Sequence, residues 1–163
     1  MKKIFFYTTL FLVFGCQVNS QSKNENKKYK INKTDSEWKA HLPKMSYHVL
    51  RKAGTERAFS GSLNFNKREG VYVCAGCQIP LYESKYKYDS GSGWPSFDRA
   101  IIKNVDLDVD YKIGYARTEL KCATCGGHLG HSFNDGPQNT TGERHCINGA
   151  ALKFEKEDYK KNK

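Results

Sequence analysis

The sequence contains six cysteines, and their spacing separates them by the chemistry each can do. Cys74-Ala75-Gly76-Cys77 and Cys122-Ala123-Thr124-Cys125 are two Cys-x-x-Cys units. Two intervening residues let both sulfurs of a unit reach one ion about 2.3 Å away. Cys74, Cys77, Cys122 and Cys125 together offer four thiolates, a closed tetrahedral shell with no position for water, so the ion expected here is a structural zinc and not a catalytic one. Iron fits the same shell. A pair of disulfides competes with this reading in an oxidising compartment. A thioredoxin-like redox pair is disfavoured, because no βαβ pattern surrounds either unit. Of the remaining two cysteines, Cys16 lies near the N-terminus and Cys146 lies among polar residues.

Cys146 sits in Arg144-His145-Cys146-Ile147-Asn148. On a strand, residues two apart share a face. Arg144, Cys146 and Asn148 would then set a cation, a nucleophile and an amide in a row. A neighbouring cation favours the thiolate, which is the reactive form. Polar neighbours on the same face argue against a cysteine in a dry core. Upstream, His128, His131 and Asp135 fall close together in Gly127 to Pro137, and Trp94 stands in the glycine-rich turn Ser90-Gly91-Ser92-Gly93-Trp94-Pro95-Ser96-Phe97. Glycines on both sides of an aromatic suit an exposed apolar wall for a small group. A metal-ligand role for the histidines is weak, since four thiolates already complete a shell.

These residues need elements to carry them. Asp35 or Ser36 can cap a short helix through Glu37, Trp38 and Leu42, stopped by Pro43. Ser46 can cap a second helix over 47–53, ended by Gly54. Beyond that the pattern is β. Val71-Tyr72-Val73 is short and β-favouring. Val105, Leu107, Val109, Tyr111, Ile113 and Tyr115 alternate with Asp106, Asp108, Asp110, Lys112 and Gly114, the period of half-buried strands, with a hairpin turn near Asp108 left open. Leu120, 129–133 and 150–154 add short strands. The domain reads as mainly β and antiparallel, with one or two short N-terminal helices.

The N-terminus is a separate case. Lys2 and Lys3 precede an apolar run from Ile4 to Gly15, too short for a helix spanning a bilayer, which takes about 20 residues, but the length of a secretory leader. Val13-Phe14-Gly15-Cys16 resembles the lipobox of bacterial lipoproteins, with Phe14 bulkier than usual. This predicts a leader over 1–15, lipid on Cys16, a polar tether over 16–33 and a folded domain over 34–163. The expected location is the bacterial cell envelope, lipid-anchored and facing the periplasm or exterior. The formal charge of +10 is dispersed and suits an anionic membrane face; nucleic acid is not an expected partner of an exported protein.

Taken together, Gly93-Trp94-Pro95-Ser96-Phe97, the two Cys-x-x-Cys units, Gly130-His131-Ser132-Phe133-Asn134-Asp135-Gly136-Pro137 and Arg144-His145-Cys146-Ile147-Asn148 resemble the motif set of the peptide-methionine (R)-S-oxide reductases, the MsrB family. Gly54-Thr55-Glu56 and Phe59-Ser60-Gly61 resemble its N-terminal signature. The resemblance implies two antiparallel β-sheets, a Mss4-like β-tent, with a zinc remote from the active site. It implies reduction of the R epimer of methionine sulfoxide in peptides or proteins. Cys146 would be the nucleophile that becomes a sulfenic acid. Trp94 and Phe133 would bind substrate, and Trp94 would pack against its methyl group. His128, His131 and Asn148 would orient the substrate or a water, with Asp135 nearby, and Arg144 would favour the thiolate. His145 and Gly149 replace the aromatic and the serine commonest in the family.

Many family members carry a resolving cysteine in the glycine-rich turn, where this chain has Ser90 and Ser92. With four cysteines on zinc and Cys16 on lipid, Cys146 has no partner in its own chain. The resemblance therefore implies reset by an external thiol such as a thioredoxin-like protein. Two other readings stand beside the enzyme: a non-catalytic zinc-stapled β module that binds a peptide or nucleic acid, and a redox-sensing lipoprotein.

Overall fold

The computed structural model describes residues 29–156. The leader, Cys16, the tether up to residue 28 and the tail from residue 157 lie outside the described residues. The helix α1 (Asp35–His41) is capped by Thr34, one residue earlier than the sequence suggests. Thr34 Oγ1 accepts the Glu37 N–H, and the Thr34 N–H donates to the Glu37 carboxylate at 2.7 Å, a reciprocal capping box. The helix α2 (Lys44–Lys52) starts directly after Pro43, with Ser46 buried inside it, and ends at Ala53 in the left-handed region (φ 47°). At Gly54 a Cβ would lie 2.1 Å from His48 Nε2, so the exposed His48 ring packs where a side chain would otherwise stand.

Nine strands follow, in two antiparallel sheets. In the smaller sheet β1 (Gly70–Cys74) is central, between β2 (Pro80–Glu83) and β9 (Leu152–Lys156). The larger sheet runs β3 (Lys87–Tyr88), β4 (Ser96–Phe97), β8 (Arg144–Ile147), β7 (His128–Phe133), β6 (Arg117–Cys122), β5 (Val105–Asp110). Trp38, Val49, Leu50, Tyr72, Leu81, Tyr82, Phe97, Leu120, Leu129 and Ile147 are buried in the core. Tyr82 stacks on Phe97 at 4.3 Å, and Tyr72 meets that ring edge-on at 5.0 Å.

Three sequence expectations are corrected. Residues 29–33 are not all tether: the Ile31 N–H donates to Thr124 O and its side chain packs on the core. It is an apolar residue in a polar stretch and has a surface to cover. The hairpin does not turn at Asp108, which pairs with Glu119 in mid-strand. The turn is at Tyr111–Gly114, where the Gly114 N–H donates to Tyr111 O and φ is +88°. The burial phase of β5 is also inverted. Leu107 and Val109 are 67% and 51% exposed, while the aspartates face partners. β5 is the sheet edge, and Asp108 and Asp110 are held by Lys121, Arg117 and His131 of its neighbours. Charge pairing set the face that points inward.

Candidate active site

The four Cys-x-x-Cys sulfurs converge, all lying within 4.8 Å of one another. Cys74 Sγ is 3.8 Å from Cys125 Sγ, and Cys77 Sγ is 3.5 Å from Cys122 Sγ. A tetrahedral ion with bonds of about 2.3 Å has edges of about 3.8 Å, whereas a disulfide needs about 2.05 Å. The geometry fits one structural metal and not two disulfides. Each unit begins at a strand end, β1 at Cys74 and β6 at Cys122. Each then turns the same way: the Gln78 N–H donates to Cys74 O and the Gly126 N–H to Cys122 O, both at 2.8 Å. Gln78 and Gly126 adopt positive φ, 62° and 70°.

Cys146 lies elsewhere, on the outer face of the larger sheet. Asp108, Glu119, His131, Cys146, Ser96 and Tyr88 are successive register partners across β5, β6, β7, β8, β4 and β3. Facing residues on neighbouring strands have Cβ atoms about 5 Å apart, so His131 stands beside the thiol. The close approach of β7 to β8 depends on Gly130, where a Cβ would lie 2.0 Å from Cys146 O.

His128 reaches the same face through an irregularity. The β6–β7 register pairs Leu120 with Gly130 but Lys121 with His128, leaving Leu129 as an extra residue. A bulge of this kind reverses the alternation once. His128 and His131, three apart, therefore share a face, with ring centroids 5.2 Å apart. The Leu129 carbonyl, on the β8 side of β7, accepts both the Asn148 N–H (2.9 Å) and its Nδ2–H (3.0 Å).

Acidic residues hold both rings. Asp110 Oδ2 lies 2.8 Å from His131 Nε2, and Glu119 Oε1 lies 2.6 Å from His128 Nδ1. Burial raises the Asp110 carboxyl, but the Lys112 backbone N–H, His131 and Arg117 overcome it and bring it down to about 2. An ionised carboxylate only accepts, so His131 Nε2 carries the proton. Burial lowers the His131 ring below its ordinary value, against the pull of Asp110. Among the described residues His128 Nε2 is buried with no hydrogen-bond partner, a place where a buried water would satisfy it.

Asp135 grips Arg144 through two bonds, Nε to Oδ1 at 2.8 Å and a terminal nitrogen to Oδ2 at 2.9 Å. The guanidinium also covers the Phe133 ring at 4.5 Å. Arg144 draws the Cys146 thiol down, as does a contact with Ser92, but burial outweighs both and the thiol sits above its ordinary value. Arg144 thus acts in the direction expected of a neighbouring cation, and burial opposes it.

The remaining expected residues meet at Glu56, which is 6% exposed. Its carboxylate accepts the Gly149 and Ala150 N–H groups. Its own N–H donates to Asn148 Oδ1 at 3.0 Å, and its carbonyl accepts the Trp94 Nε1–H at 3.1 Å. Asn148 lies past the end of β8, 4% exposed, and its carboxamide links two backbone segments. His145 points to the opposite face, against Tyr82. The histidine in place of the usual aromatic therefore does not change the polarity beside Cys146.

The sequence reading missed Glu56, Asp110, Glu119 and Arg117. The alternating aspartates before the turn were the available signal, and they read as a solvent face.

The SelR domain family matches residues 42–156. The chain is 52% identical over 130 residues to "Peptide methionine sulfoxide reductase MsrB" of Leptospira interrogans, covering 79% of this chain and 98% of that one. It is 48% identical over 130 residues to the protein of the same name from Methanosarcina mazei, covering 79% and 92%. It is 48% identical over 129 residues to "Peptide methionine sulfoxide reductase B1, chloroplastic" of Oryza sativa, covering 78% and 60%.

The Asp110 contact raises the His131 pKa against burial. Asp110→Asn should therefore move the His131 titration midpoint further down, read by NMR of the imidazole resonances. An unmoved or raised midpoint would contradict the pairing.

Proposed function

The chain belongs to the SelR-domain family, and from that membership we infer that it is a peptide-methionine (R)-S-oxide reductase acting through Cys146. The observation that carries this reading is the juxtaposition of Cys146 and His131 as register partners, with Trp94 anchored alongside through Glu56.

The thiol proton and the sulfoxide oxygen account for the chemistry. Cys146 sulfur attacks the sulfoxide sulfur, and the S–O oxygen, gaining negative charge, takes up the proton lost by the thiol. The oxygen then passes from the substrate sulfur to the Cys146 sulfur as the newly formed S–S bond breaks, so methionine leaves and Cys146 is left as a sulfenic acid. Two external thiols then return Cys146 to the thiol, releasing water and a disulfide. A thiol that is protonated at rest supplies the proton the reaction consumes. His131, fixed by Asp110, and His128, with its unpartnered Nε2, hold the water or donor at the developing charge. Trp94 offers an apolar wall to the methyl group. A wall on one side and donors on the other distinguish the two epimers. Arg144, held by Asp135 and covering Phe133, supplies the positive field. Asn148 acts by positioning Glu56 and Leu129.

The ion of the four-cysteine cluster is zinc on this reading, supported by the all-sulfur donor set and the tetrahedral edge lengths. It closes the fold and takes no part in the reaction. We also propose that the chain is exported and anchored by lipid at Cys16, a reading supported by the basic-then-apolar N-terminus and the lipobox-like Val13-Phe14-Gly15-Cys16. A thioredoxin-like protein or another envelope thiol is the proposed reductant.

Purified protein with dithiothreitol should turn over peptides carrying methionine R-sulfoxide and leave the S epimer. Cys146→Ser should abolish turnover. Trp94→Ala should lower kcat/KM for the R epimer by about ten- to a hundredfold. No turnover by metal-loaded protein would instead support the binding module, and peroxide oxidation of Cys146 without turnover would support the sensor. Labelled fatty acid should enter the full chain in a lipoprotein-processing host and not Cys16→Ala; equal labelling of both would overturn the anchor.

A further inference from the structure

Three serine hydroxyls lead from the reacting sulfur into the protein. Ser92 Oγ lies 3.9 Å from Cys146 Sγ, within reach for a bond to sulfur. Ser90 Oγ lies 2.8 Å from Ser92 Oγ and 2.7 Å from Ser96 Oγ. Ser96, fully buried, donates to Trp94 O at 3.2 Å.

Each hydroxyl has one proton to give, which orients the chain. Ser96 has given its proton to Trp94 O, so in the Ser90–Ser96 contact Ser90 is the donor. Ser90 can then only accept from Ser92. While Cys146 is a thiol, its S–H can point at Ser92 Oγ, and every donor runs one way from sulfur to Trp94 O. When the sulfur gives up its proton, one rotation of the Ser92 hydroxyl turns its O–H to the sulfur. Ser90 Oγ keeps the Ser92 backbone N–H, at 3.4 Å, as a donor. Ser90 and Ser96 cannot make this turn without abandoning a buried acceptor.

We propose that Ser92 is a catalytic residue of this chain, whose hydroxyl turns to donate to the Cys146 sulfur as it becomes anionic, with Ser90 and Ser96 as the positioning residues that hold it. The proposal rests on the reading of Cys146 as the nucleophile. It gives the glycine-rich turn a role separate from the Trp94 wall. The other charged or titratable groups facing Cys146 are Arg144 on its own strand with Asp135 behind it, His131 on β7 with Glu119 beyond, and Tyr88 on β3 through Ser96.

The test is the pH dependence of Cys146 alkylation by iodoacetamide in the full, metal-loaded chain, followed by mass spectrometry of the Cys146 peptide. A hydrogen bond to a charged group has the size of about one pKa unit. Ser92→Ala should therefore move the midpoint up by about one unit and slow alkylation at neutral pH by about tenfold. Ser92→Thr, which keeps the hydroxyl, should stay near wild type. An unmoved midpoint in Ser92→Ala, or the same upward shift in Ser92→Thr, would overturn the proposal. Failure of the nucleophile itself looks different: Cys146→Ser would still turn over sulfoxide.

Discussion

The four-sulfur cluster fixes the relation of the two sheets, and the site depends on that relation. β1 runs into it from one sheet and β6 from the other, so one ion joins the ends of strands from both. The helices close over the same point. Arg51 donates to Cys125 O at 2.9 Å. Gly127 leaves room for Leu50, which a Cβ would meet at 2.8 Å. A closed all-thiolate shell cannot bind substrate, but it fixes where β6 ends. From β6 the ladder passes through β7 to β8 and so sets the place of Cys146. A metal held by these four sulfurs would act on the Cys146 face through register, not through contact.

That face carries an unusual density of polar groups for a sheet surface. Buried charge is costly unless paired and hydrogen-bonded. The sheet meets this by ion-pairing Asp108 with Lys121 and Asp110 with Arg117 and by giving His128 and His131 each a carboxylate. The apolar phase of β5 is left on the exposed edge as a result. The bulge at Leu129 is a second such arrangement. It brings two histidines to one face, while on the β8 side the Leu129 carbonyl accepts from Asn148. Asn148 in turn holds Glu56, and Glu56 holds Trp94. Cys146, the two histidines and Trp94 are therefore carried by strand pairing together with these hydrogen bonds.

What was legible in the sequence was local. Cys-x-x-Cys spacing is a property of a few neighbouring residues, and so are the polar surroundings of Cys146 and the glycines around Trp94. The antiparallel β class followed from alternation. What depended on distant partners was not legible. Alternation in 105–115 gives the strand but not the face that turns inward, because that was decided by Arg117, Lys121 and His131 on other strands. The His128–His131 spacing of three suits a helix better than a strand, and only the bulge reconciles it with β7. Glu56 gave no sign of its role, because its partners Gly149, Ala150, Asn148 and Trp94 are far away in the chain. The electrostatics of Cys146 were legible in part for a related reason: Arg144 is visible beside it in the sequence, whereas the burial that opposes Arg144 comes from the whole fold.

The central claim is that one thiol performs the reduction unaided by any other cysteine of the chain, on a frame whose metal stays apart from the reaction. Native mass spectrometry of the zinc-loaded protein after reaction with excess methionine R-sulfoxide, in the absence of any reductant, addresses it most directly. The account predicts one methionine formed per chain, Cys146 heavier by one oxygen, no disulfide, and one zinc retained. A disulfide between Cys146 and any other cysteine, or loss of the metal with turnover, would contradict it.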